Sequence, residues 1–380
     1  MRNELVLAGL ISVSLSGLTQ AGFAAAGETA SRPLFVYIGT YASGPDEGIF
    51  LLRLHAEDGR LEYLGLAGRA KGPSFLAVHP SKPHLYAVGE GGPGTINAFA
   101  IDPVTGKLTF LNAASSVGRG PCHVAVDRAG RHVLAANYGG GSVVVLPIDE
   151  AGRLGEACAF VQHEGSSINP QRQEGPHAHS VTLDAAGRFV FAADLGLDKI
   201  LVYRYDDRGG TLEPNVPPFA ALAPGAGPRH FAFHPSGRFA YVVNELGSTV
   251  TAFAYDATQG RLDMLHSVGT LPEGFDGQNT TAEIRVHPSG RFVYCSNRGH
   301  DSVAAFAVDA DTGRLTPLGE TSTQGRTPRN FNIDPSGRFL VAANQDTNTV
   351  VLFRIDAESG ALSPVGQSME IPKPVCVTFY

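Results

Sequence analysis

A phrase that returns seven times restricts this chain to very few architectures. It reads as a short apolar strand ending near an Asp, a polar turn, then Gly-(Arg/Lys/Thr/Ala)-Leu and a second strand. The turn glycines are Gly59, Gly106, Gly152, Gly210, Gly260, Gly313 and Gly360, spaced 46 to 58 residues apart. A second phrase, (His/Asp)-Pro-Ser-Gly-Arg-Phe between two strands, is clearest at His234 to Phe239, His287 to Phe292 and Asp334 to Phe339. Looser copies stand at His79, Asp127 and Asp184. Each period holds four short alternating strands, and a period near 50 residues marks one blade of a β-propeller. The expected fold is all-β, a single seven-bladed propeller over residues 27–380, at about 51 residues per blade.

The phase of the repeat at the two ends sets how the ring closes. Leu34-Phe-Val-Tyr-Ile-Gly-Thr40 matches the second strand of a blade, and Pro374-Val-Cys-Val-Thr-Phe-Tyr380 matches the first. The C-terminal strand is therefore expected to complete the first blade, leaving no open sheet edge. Composition agrees. With 46 Gly, 25 Pro and only 17% charged residues, long-helix and coiled-coil proteins are excluded, while 43% hydrophobic residues supply a large core. The net charge is −7 and the Lys and Arg residues are scattered, so no basic face exists for nucleic acid.

At the N-terminus, Arg2 precedes an apolar stretch from Leu5 to Leu18, followed by Ala24-Ala25-Ala26. This pattern reads as a secretory signal over residues 1–26, despite Glu4, and places the mature protein in the periplasm or outside the cell with no membrane anchor. The four cysteines, Cys122, Cys158, Cys295 and Cys376, form no CxxC pair, so neither a zinc site nor a redox motif is indicated. Cys295 and Cys376 read as buried small hydrophobes in strands.

Inner strands of a propeller surround a central channel, so residues in register form rings. Five residues before each first-strand phrase end stand Ser74, Cys122, His179, Arg229, Ala282, Arg329 and Val375. The second strands end at Tyr41, Glu90, Tyr138, Leu195, Glu245, Arg298 and Gln345, preceded on several blades by Asn137, Asp194, Asn244, Asn297 or Asn344. A rim carrying His179, Arg229, Glu245 and Arg298 has the groups for acyl chemistry: guanidiniums for a carboxylate or oxyanion, and an imidazole for moving a proton at neutral pH. The same residues also fit a wet channel whose ion pairs tie blades together. His177 and His179, two apart on a strand, with Asp194 or Glu245, make only an incomplete metal-ligand pattern. Cys122 lies in the ring without an evident base. His234 and His287 read as turn residues, and Arg188, Arg238, Arg291 and Arg338 as structural.

Several motifs resemble the lactonase family of seven-bladed propellers, which includes cycloisomerase 2-type 6-phosphogluconolactonases and carboxy-muconate lactonizing enzymes. They are Tyr37-Ile-Gly-Thr-Tyr41, Gly175-Pro-His-Ala-His-Ser180 with Asp194-Leu-Gly-Leu-Asp198, Gly227-Pro-Arg-His230 with Asn244-Glu-Leu246, Ala282-Glu-Ile-Arg285 with Ser296-Asn-Arg-Gly-His300, and Thr327-Pro-Arg-Asn330. The resemblance implies a catalytic set of one histidine, two arginines and a glutamate, falling on His179, Arg229, Glu245 and Arg298. His177, Arg329, Asp194 and Arg285 are expected to bind substrate, Arg285 being the alternative second arginine. The resemblance also implies that no metal or organic cofactor is needed. The expected activity is hydrolysis of a sugar-type lactone in carbohydrate metabolism, with a small-molecule lactone or carboxylate as partner. A muconate-type lactonizing cycloisomerase and a non-enzymatic periplasmic propeller that binds a ligand or protein are the alternatives, and an exported location argues against a phosphorylated substrate.

Overall fold

The structure is a computed structural model that describes Met1, residues 34–91 and residues 93–380. The expected signal segment, apart from Met1, lies outside the described residues. Seven four-stranded antiparallel sheets account for every named strand. No described helix is long and apolar enough to cross a membrane.

Blade 1 combines the strand Leu34–Thr40 with the C-terminal strand Pro374–Phe379 as its innermost member. Val36 pairs with Phe379 and Ile38 with Val377, and Phe35 and Tyr380 exchange backbone hydrogen bonds of 3.0 and 2.9 Å. The ring is thus closed as the repeat phase requires. Blades 2 to 7 follow in chain order, each starting at the channel and ending at the rim of the disc.

The two recurring phrases are partners across blade boundaries. Gly59, Gly260 and Gly360 adopt φ of 72°, 65° and 74°, and a Cβ on any of them would sit 2.5 Å from the ring of Phe339, Phe189 or Phe292. Only glycine tolerates both the left-handed conformation and the close approach of the aromatic ring. The arginine beside such a Phe reaches to the same turn: Arg291, next to Phe292, donates from Nη1 to the carbonyl of Ala357 in the Gly360 turn at 2.9 Å, and Arg238, next to Phe239, donates from Nη2 to that of Asp311 in the Gly313 turn at 2.8 Å. His234 and His287 also act as turn residues. Their Nε2 atoms donate to the carbonyls of Gly290 and Gly337, both at 2.8 Å, so each turn is tied to its counterpart in the next blade. Between sheets, apolar side chains interdigitate in clusters that each span neighbouring blades.

Candidate active site

Six of the seven inner strands carry a β-bulge at the same height. In blades 3, 4, 5 and 7 the unpaired residues are Cys122, His179, Arg229 and Arg329, and in blade 1 it is Val375. In blade 6, Ala282 and Glu283 together face Ser296. A bulge interrupts the twofold alternation of a strand. Consecutive residues therefore point to the channel: Arg229 Nη1 lies 3.2 Å from His230 Nε2, an approach that regular alternation forbids. The channel is lined by two tiers. The upper tier contains Cys122, His179, Arg229 and Arg329, and the lower contains Phe75, His123, His230, Glu283 and Asn330.

The upper tier opens into a cavity of about 290 Å³ lined by Glu90, Cys122, Tyr138, Arg172, His179, Glu245, Thr280, Arg298 and Arg329. Glu245 is its electrostatic centre. Its Oε2 accepts from Arg229 Nε and Arg298 Nη2, both at 2.9 Å, and its Oε1 accepts from Arg172 Nη2 at 2.5 Å. His179 Nε2 lies 4.0 Å from Oε2. Burial opposes ionisation of Glu245, yet Arg298, Arg229, His179 and Arg172 together hold its carboxyl well below the ordinary carboxylate range. His179 is shifted down from its ordinary value by burial first and then by Arg229 and His230, so its imidazole is neutral at neutral pH. On the far side of the cavity, Arg329 Nη2 donates to the Tyr41 hydroxyl at 3.1 Å, and that hydroxyl donates to Glu90 at 2.6 Å. Burial pushes the Tyr41 phenol up to about 12, so it remains a donor. Cys122 is also pushed up by burial, which leaves it a thiol with its Sγ 3.7 Å from His179 Nδ1.

The structure brings His179, Arg229, Glu245, Arg298 and Arg329 together. His177 lies beside them at the mouth, its ring stacked on Tyr138 at 4.5 Å and its Nδ1 donating to the Tyr138 carbonyl at 3.0 Å. Asp194 and Arg285 are elsewhere. Asp194 is fully buried, bonded to His163 Nδ1 at 2.6 Å and accepting from the backbone N–H groups of His177 and Gly196. It shapes the loop beneath His177, as Asn137, Asn297 and Asn344 close their own turns by donating to the carbonyls of Ser116, Thr270 and Thr323. Arg285 lies two residues beyond Glu283 and faces the opposite end of the channel, 3.4 Å from the Glu283 carboxylate. Among the described residues no group of three His, Cys, Asp or Glu side chains is arranged to hold a metal ion, and no cysteine is bridged.

Arg172 belongs to no strand, so it has no place in the register of the repeat. It stands on the segment between the strands Ala159–Gln162 and Ala178–Leu183. The one signal was length: the interval from Gly152 to Gly210 is the longest of the repeat. Ser167 Oγ bonded to Asp198 at 2.5 Å, and Gln173 Nε2 donating to the Leu195 carbonyl at 2.9 Å, fix this segment over the cavity.

The sequence model described as lactonase, 7-bladed beta-propeller, matches residues 35–379. The chain belongs to this lactonase family. It is therefore a lactonase-type enzyme, and its relatives agree. It is 40% identical over 344 residues to the 6-phosphogluconolactonase of Bacillus subtilis, covering 90% of this chain and 97% of that one. It is 33% identical to the 6-phosphogluconolactonase of Formosa agariphila, over 78% of this chain and 85% of the relative. Among solved structures, the periplasmic gluconolactonase of Pseudomonas aeruginosa superposes with a TM-score of 0.86 at 33% identity, covering 91% of this chain and 99% of that chain.

Proposed function

We propose that the protein hydrolyses the ester ring of a sugar-type lactone in the upper channel cavity, without a metal ion. The observation that carries this reading is the convergence of a neutral, buried imidazole with guanidiniums keyed to one ionised carboxylate, in a cavity of small-molecule size. His179 accepts a proton from water as the water oxygen bonds to the lactone carbonyl carbon. The displaced carbonyl electron pair makes an oxyanion, which Arg229 and Arg298 stabilise without reorganising, because Glu245 already orients both. Collapse restores the carbonyl, breaks the ring C–O bond, and returns the proton from His179 to the departing alkoxide. The product is a hydroxy acid that ionises and acidifies the medium.

Arg329 and Arg172 add positive charge at the mouth and suit a substrate that carries its own oxygens or an anionic group. The guanidiniums of Arg172, Arg229 and Arg298 take up both oxygens of the Glu245 carboxylate, the positions a metal ion would need, which supports metal-independent chemistry. The signal pattern at residues 1–26 supports export, and the Pseudomonas relative is periplasmic. A pH-drop screen of phosphorylated and neutral sugar lactones, with and without chelator, tests the reading. Wild-type protein opens a sugar lactone in both conditions, and His179→Ala abolishes opening while keeping the β-sheet circular dichroism. Full activity in His179→Ala, or activity that chelator removes, overturns the assignment.

A further inference from the structure

Beneath the cavity lies a second polar cluster that the mechanism above leaves unused. Glu283 is 2% exposed, and its carboxylate is surrounded by donors. Oε2 receives His230 Nδ1 at 3.1 Å, Arg285 Nη2 at 3.4 Å and the Asn330 amide, while Oε1 receives the backbone N–H of Ile284 at 3.0 Å. Asn330 cannot be flipped, because its Oδ1 accepts from the backbone N–H of Val377 at 2.8 Å. Burial pushes the Glu283 carboxyl up, opposed by Arg285 and Arg229, and the ring of donors leaves no acceptor for a carboxyl proton. His230 Nδ1–H donates to Glu283, and the other ring nitrogen must accept from what faces it. That atom, Nε2, faces Arg229 Nη1 at 3.2 Å, and a guanidinium is only ever a donor. Burial, and then Arg229 and Arg285, shift His230 down, which keeps the ring neutral as this contact requires. Arg229 Nη1 also donates to the Ala282 carbonyl at 2.7 Å, and its Nε donates to Glu245. The guanidinium is thus gripped from below by His230 and Ala282 and from above by Glu245.

We propose that Glu283 and His230 are positioning residues for lactone opening: Glu283 fixes the Nδ1–H tautomer of His230, whose Nε2 holds the Arg229 guanidinium in plane with Glu245 and turned toward the reacting oxygen. The cluster touches no substrate and acts only through Arg229, so this inference rests on the function proposed above.

Two substitutions separate the halves of the histidine. His230→Asn places an amide N–H near the Nδ1 position and keeps the Glu283 bond, but offers Arg229 no acceptor. His230→Gln places its carbonyl oxygen near Nε2 and keeps the acceptor for Arg229, but loses Glu283. In a lactonase assay His230→Asn lowers kcat roughly 10- to 100-fold with KM little changed, as for loss of a group that orients a transition-state contact. His230→Gln recovers most of that loss, although its thermal midpoint is lowered as much as that of His230→Asn. Equal kcat losses in the two variants, or losses that track the thermal midpoint, overturn the positioning role. A readout independent of turnover accompanies this: the 15N shifts of the His230 ring in the wild-type protein report Nδ1 protonated and Nε2 bare at neutral pH, and Glu283→Ala abolishes that preference. An Nε2–H or doubly protonated ring refutes the tautomer whatever the enzyme turns over. If the wild type opens no lactone while the ring shows the expected tautomer, the proposed function fails, and the catalytic half of this inference with it.

Discussion

Replacing Glu245 by Gln keeps the shape of the side chain and removes the one charge on which three guanidiniums converge. The Arg229 and Arg298 side chains are 2% and 13% exposed, so neither can turn to water for compensation. Arg172 is 37% exposed and can, so its pair with Glu245 contributes little by comparison. Removing one partner of a buried ion pair leaves an uncompensated charge and costs about 3–5 kcal/mol. At about 2 °C per kcal/mol for a large domain, the thermal midpoint falls by roughly 6–10 °C. Differential scanning fluorimetry reads this directly, with Arg172→Ala as the control expected within about 1 kcal/mol of wild type. Activity falls with stability in Glu245→Gln, because Arg229 and Arg298 lose their common orientation. A Glu245→Gln protein that melts with the wild type, or Arg172→Ala melting as low as Glu245→Gln, refutes the view that the cavity is organised around this carboxylate.

Other consequences are equally direct. Because burial and Arg229 shift His179 down, its base form persists as pH falls through the ordinary imidazole value; kcat/KM is expected to stay level from about pH 8 to 6.5 and to decline only below that. A pH-rate profile with an acid limb centred at or above about pH 6.5 contradicts this. Gly313 has φ of 70° and a Cβ would meet the Phe239 ring, so Gly313→Ala costs about 2 kcal/mol from backbone strain and overpacking, read by urea denaturation. Deleting residues 374–380 strips blade 1 of its inner strand, exposes the edge of Leu34–Thr40, and yields aggregates in size-exclusion chromatography, whereas a closed monomeric ring after the deletion overturns the closure argument.

The fold was written in the sequence because its signals are local. A turn glycine packs on the Phe of the neighbouring blade, and an Arg beside that Phe reaches the same turn, so each contact repeats with the period and shows as a recurring word. The phase of Leu34–Thr40 against Pro374–Phe379 told which strand closes the ring for the same reason. His179, Arg229, Glu245 and Arg298 were legible as members of rings, since equivalent strand positions converge on one channel.

Tertiary structure decided what register alone could not. A strand read with period two predicts that neighbours such as Arg229 and His230 face opposite ways; the bulges turn both inward, and a lower tier centred on His230 and Glu283 appears. Distance along the strand then separates Arg285 from Arg298: three positions past Ala282 the chain has reached the opposite mouth. Asp194 shares its ring position with the turn-closing asparagines, and burial against His163 commits it to the loop rather than the cavity. Arg172 has no position in the repeat at all, and reaches Glu245 only because Asp198 and Leu195 fix an insertion above it. Periodic contacts leave a periodic trace in the chain; a bulge or an insertion is a departure from the period, and its direction is set only by what packs around it.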